Sequence, residues 1–144
     1  MPTRRPRLLW LALAITCAAL CGCTGDSMPP LHTLNGTVTR DGERVTSGGL
    51  IFVLESGERT RLVVNAAVQP DGTFTARTER MDDRGTTILP GAPAGTYRAI
   101  YHPPSDGSKT DLAVELPQRV TVEGGGVTAT LILPAKAEAA PAKD

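Results

Sequence analysis

Beyond Cys23 no stretch of ten residues places apolar side chains at helical spacing, while alternation with a period of two runs through most of the chain. That alternation excludes a helical bundle and predicts short strands, each with one buried face. Leu34–Arg40 reads as the first strand, and Asp41-Gly42 after it is a hairpin signal. Leu50–Leu54 (LIFVL) is nearly continuous in apolar character, which predicts a central strand with Leu50, Phe52 and Leu54 on one face. Arg61–Val68 is a further strand; Asp71-Gly72 marks the next turn, and Thr73–Thr78 alternates cleanly. Residues 79–93 read as a long polar connection with a short strand at Thr86–Leu89. Thr96–Tyr101 is a strand, His102–Ser108 a Pro- and Gly-rich loop, and Asp111–Leu116 a weak edge strand, because Pro117 follows it. Arg119–Glu123 and Val127–Leu133 read as a final hairpin around Gly124–Gly126. Six to eight strands at this spacing predict an all-β sandwich. Its expected core is Val38, Leu50, Phe52, Leu54, Phe74, Tyr97, Ala99, Val120, Val122, Val127, Leu131 and Leu133.

Length and charge narrow the class further. At 144 residues the chain holds one domain of ordinary size. Fifteen basic and fifteen acidic side chains balance, so there is no electrostatic footprint for nucleic acid.

The first 22 residues are of a different kind. Arg4, Arg5 and Arg7 precede an uncharged run from Leu8 to Leu20, 13 residues long. As a helix it spans about 20 Å, short of the roughly 20 residues that a bilayer core requires. A basic head, a short apolar run and small residues at its end make a secretory signal. Arg7 stands where a twin-arginine signal carries a large apolar residue, so the arginine pair reads as general positive charge. Leu20-Cys21-Gly22-Cys23 resembles the bacterial lipobox, with Leu20 three residues before Cys23 and Gly22 just before it. The resemblance implies that the Cys23 sulfur receives a diacylglycerol, that residues 1–22 are removed as a lipoprotein signal peptide, and that fatty acyl chains such as palmitate hold Cys23 in a membrane. With each buried CH₂ contributing about 0.8 kcal/mol, two or more chains make a durable anchor. All three cysteines lie at or before position 23, so no disulfide is expected in the domain. Residues 23–33 then read as the lipidated cysteine and a tether, 34–133 as the domain, and 134–144 as a disordered tail of small and charged residues.

Three pieces of the domain carry a second resemblance. Asn35–Val45 has the form G-x-V-x-x-D-G-x-x-V, Gln69–Phe74 is a turn that delivers Phe74 inward, and Gly91–Tyr97 a Pro-Ala-Gly turn that delivers Tyr97 inward. In this order and spacing the chain resembles carboxypeptidase regulatory-like domains. That implies a seven-stranded antiparallel β-sandwich of the transthyretin-like (prealbumin-like) or immunoglobulin-like kind over residues 34–133. A phenol at position 97 is expected to bury its ring and to give its hydroxyl to a backbone partner.

The same residues hold no complete catalytic constellation. His32 and His102 stand 70 positions apart without the carboxylate spacing of a zinc hydrolase. His102, Ser105 and Asp106 are chain neighbours, unlike a triad gathered from separate elements. Asp82-Asp83 and Asp106–Asp111 lack the alternating oxygen ligands of a calcium loop. The first strand has no Lys, and Val127–Leu133 has neither Asn nor Asp, so an isopeptide cross-link has no partners. Asn35 serves the strand start rather than a glycan. The expectation is therefore a non-catalytic protein without cofactor or metal, facing the periplasm or exterior from a lipid anchor. It would be a structural or binding module for an envelope protein or glycan, its binding surface on 79–93 and 102–110. The alternatives are a carbohydrate- or protein-binding accessory module and a small hydrolase using His102 and Asp106.

Overall fold

The structure is a computed structural model that describes residues 28–56, 62–104 and 113–135. Cys23, Leu20, Gly22, Ser105, Asp106 and the expected tail from 136 onward lie outside the described residues.

All regular structure among the described residues is strand: β1 Leu31–His32, β2 Leu34–Arg40, β3 Glu43–Arg44, β4 Gly49–Leu54, β5 Leu62–Ala67, β6 Thr73–Thr75, β7 Arg77–Asp82, β8 Gly85–Pro90, β9 Ala92–Pro93, β10 Gly95–His102, β11 Val114–Val122 and β12 Val127–Leu133. Four are pieces of two or three residues, and the other eight are strands of six to nine. A six-stranded sheet runs β11-β10-β4-β5-β7-β8, and a second sheet runs β12-β2-β3 with β6 also on β2. β1 and β9 form a separate ribbon. The expected central strand, β4, is indeed interior to its sheet, with β10 and β5 on either side.

The two sheets close on one core, the arrangement of a β-sandwich. Phe52 from the first sheet and Phe74 from the second meet with ring centroids 5.8 Å apart, tilted by 37°. Ten of the twelve expected core residues are buried; Leu54 and Val127 are partly buried and pack against the cluster. The core also takes Leu34, Val64, Ala66, Val68, Ala76, Ala92, Tyr101 and Leu116. Tyr97 is 1% exposed and donates its hydroxyl to the Pro93 carbonyl at 2.8 Å, the role expected of it.

Four expectations are corrected. The strand expected at Thr86–Leu89 is present as β8, but residues 79–93 are not otherwise a polar connection: β7 and β8 pair without interruption from Arg77↔Pro90 to Asp82↔Gly85. Thr73–Thr78 is not one strand in one sheet. The Ala76 amide donates to Leu34 of the second sheet, while its carbonyl accepts from Gly91, so the chain changes sheets there. Pro117 does not end a strand; it sits within β11, at the sheet edge, beside a register shift between Arg98 and Ile100. Such a position needs no amide for a ladder. Finally, Gly124–Gly126 does not close a hairpin. It carries the chain across to the second sheet, where β12 lies parallel to β2 from Val127↔Leu34 to Leu133↔Arg40, an exception to antiparallel pairing. The Val127 amide donates to the Thr33 carbonyl at 2.8 Å, so both strands start at the same end.

Candidate functional site

The β2–β3 hairpin builds one wall of a surface cavity of about 360 Å³. Asp41 and Gly42 have φ of 51° and 83°, the two positive values of a type I′ turn, whose twist matches the strands it joins. That turn sets Arg40 opposite Glu43. Arg40 shares the parity of Leu34, Gly36 and Val38, which are buried, so an arginine occupies the core-facing side at the mouth of the sandwich.

The opposite wall comes from the first sheet. Tyr101, near the end of β10, has the inward parity of Tyr97 and Ala99 and is 3% exposed. Its hydroxyl donates to the Ser47 carbonyl at 2.9 Å and holds the segment between β3 and β4 against the cavity. Gly48 makes this possible: its φ is 106°, and a Cβ there would sit 2.7 Å from the Tyr101 ring and the His102 carbonyl oxygen. Burial pushes the Tyr101 phenol above its ordinary value, while the Arg40 charge beside it pulls it back down.

Arg44, Val45 and Thr46 complete the lining with Asp41 and Glu43. Arg44 is already engaged, donating from Nη1 to the Asp71 carbonyl at 2.7 Å across Gly72. This contact ties the two Asp-Gly turns together. In the second turn the Asp71 carboxylate accepts from the Thr73 hydroxyl and amide, which holds its carboxyl below the ordinary value. Arg40 differs from Arg44: its Nε is buried and has no hydrogen-bond partner. An unpaired donor of a charged group is costly to bury and calls for an acceptor. Arg40, with its Nε buried and unmet, and Arg44 therefore line the cavity together with two carboxylates at the hairpin.

The residues singled out for chemistry are scattered. His32 pairs with Ala92 in the β1–β9 ribbon, whereas His102 is exposed at the end of β10, opposite Gly49. Among the described residues no group of three His, Cys, Asp or Glu side chains is placed to hold a metal ion. Asp82 accepts the Arg84 amide at 2.9 Å and so shapes the β7–β8 turn. Asn35 accepts from the Thr128 hydroxyl at 2.8 Å and helps to hold β12 on β2. Sequence reasoning missed Arg40; the signal was available, since it extends the Leu34, Gly36, Val38 alternation by one more inward step. Comparison with protein-family models, with curated proteins and with solved structures gives no match for this chain.

Proposed function

We propose that this chain is a non-catalytic binding module of the carboxypeptidase regulatory-like kind, held at a bacterial cell envelope by lipid on Cys23. One observation carries the binding reading: Arg40 lines a cavity between the two sheets, and its Nε is buried there without a partner. The ligand group suited to it is a carboxylate, whose two oxygens match the guanidinium fork. The lining also holds Asp41 and Glu43, which favours a monoanion over a doubly charged phosphate.

The placement of the cavity supports display from an anchor. Residues 24–33 lead into the Leu34 end of β2, and Arg40 lies at the other end, about 20 Å away at the usual strand rise. An anchor at Cys23 would thus join the domain at the end of β2 opposite the cavity. A glycan-binding reading is less well supported, because Phe52, Phe74, Tyr97 and Tyr101 are all buried, and no ring among them is free to stack on a sugar.

Two experiments test the two halves. Metabolic labelling with a clickable fatty acid is expected to mark the wild type and not Cys23→Ser; label retained in the variant overturns the anchor. Titration of the protein with sodium acetate at constant ionic strength, followed by the arginine Nε–H resonances, is expected to give a saturable shift at Arg40 that Arg40→Gln loses and that phosphate does not reproduce. Uniform drift of all arginine signals overturns the binding reading.

A further inference from the structure

We propose that β8 is a self-association edge, along which two copies of this chain join their six-stranded sheets into one. The proposal does not depend on the cavity or on the anchor.

An uncovered strand edge is a template for another strand, and proteins ordinarily blunt such edges. Two long edges here are blunted. β11 carries Pro117 and a register shift, and the outer face beside it holds charge: Arg98 pairs with Glu115 at 3.0 Å, and Arg119 with Glu55. On β12 the Ile132 amide is taken by Gln118 Oε1 at 3.4 Å. β8 has no register shift, and its one proline, Pro90, stands at its last position. Its sequence, GTTILP, contains no charge; all six residues are exposed, and its register with β7 is unbroken. Among the described residues nothing pairs with its outer side.

The hydrogen-bond phase of the hairpin says which groups are free. The Gly91 amide donates to the Ala76 carbonyl at 2.9 Å, one step beyond the Pro90↔Arg77 pair. Antiparallel pairs alternate, so Gly85, Thr87 and Leu89 turn their backbone groups to β7, whereas Thr86 and Ile88 turn theirs outward. Two outward residues separated by one form a self-complementary unit. A two-fold axis through Thr87 sets Thr86 of each copy against Ile88 of the other and makes four backbone hydrogen bonds. Pro90, with no amide, ends the ladder on one side, and the Asp83-Arg84 turn ends it on the other. The side chains agree. Val63 and Ile88 flank Glu79 in one row of the outer face, and Met81 shares that face; they are 44%, 52% and 60% exposed. Pairing at β8 brings the two copies' apolar patches together with no charge on the joining strands. A second copy suits this edge because Thr86 and Ile88, one residue apart, are each other's partners under a two-fold axis, and the exposed Val63, Ile88 and Met81 of the two copies then adjoin.

The test is the solution mass of the full chain in detergent, by light scattering and sedimentation across a concentration series. Twice the protomer mass, dissociating on dilution, is expected. Ile88→Pro removes one outward amide per copy and leaves the β7 ladder intact, so it is expected to weaken the dimer roughly ten- to hundred-fold with little change in melting temperature. Ile88→Lys sets like charges near the axis and is expected to do the same. Should either variant misfold, Thr87→Cys serves instead: a disulfide-linked dimer is expected there and not for Glu115→Cys on the opposite edge. A protomer mass at every concentration overturns the proposal, as do open oligomers larger than two, or a dimer indifferent to both Ile88 variants. Capture of a different protein by an otherwise monomeric chain overturns it as well.

Discussion

The contact between Phe52 and Phe74 is the most direct probe of the sandwich, because the two rings come from different sheets. Phe74 is 1% exposed and Phe52 4%, so neither substitution acts through the surface. Replacing either ring by leucine keeps most of the apolar volume and is expected to cost about 1–1.5 kcal/mol. A tilted aromatic pair at 5.8 Å adds about 0.5–1.5 kcal/mol beyond its burial. The double variant Phe52→Leu/Phe74→Leu should therefore be less destabilised than the sum of the singles by about that amount. Urea denaturation followed by circular dichroism measures all four corners of the cycle, with an unchanged m-value as the control on two-state behaviour. A coupling within about 0.3 kcal/mol of zero refutes the ring contact and, with it, the placement of β6 against β4.

Three further outcomes are expected. The Tyr97 phenol is pushed up to about 12 by burial, so the folded state keeps a proton that the unfolded chain loses near 10. Its contribution is complete below pH 10 and is lost as pH rises toward 12, and a pH series of unfolding midpoints should be flatter over that window in Tyr97→Phe. Asp71 has the opposite sign: its carboxyl is held below the ordinary 3.8, so its contribution is present above that value and disappears as pH falls below it. Asp71→Ala should lower the melting temperature at pH 7 and lose less on acidification than the wild type does. Gly48→Ala combines a φ of 106° with a Cβ 2.7 Å from Tyr101 and is expected to cost about 1–3 kcal/mol, read as a fall in melting temperature. The neighbouring Gly49→Ala, whose nearest contact is 3.8 Å away, is the mild control.

Where the sequence was read well, the deciding information lay within a few residues. Leu34–Arg40 with Asp41-Gly42, and Thr96–Tyr101 with its inward Tyr97, carry both their periodicity and their turn chemistry locally. Where it was read wrongly, the outcome rested on a partner far along the chain. Residues 79–93 look polar and loop-like because β8 is an edge strand with every residue exposed, so it lacks the buried face that alternation reports. Leu34, Val64 and Ala66 have the correct parity but are ordinary in type, and only the sheet facing each of them makes them core. Arg40 is a charged residue at a strand end, and its register two residues after Val38 turns it inward.

The order of alternating residues and Asp-Gly turns was enough to determine an all-β domain, the inward faces of strands such as β2, β4 and β10, and most of the core. A period of two states which face is buried and is silent about which strand lies alongside. The parallel docking of β12 on β2, the change of sheets at Ala76, the meeting of Arg40 with Tyr101 and the bare edge at β8 were therefore decided by tertiary structure. Each depends on how two twisted sheets close over one shared core, which no local window contains.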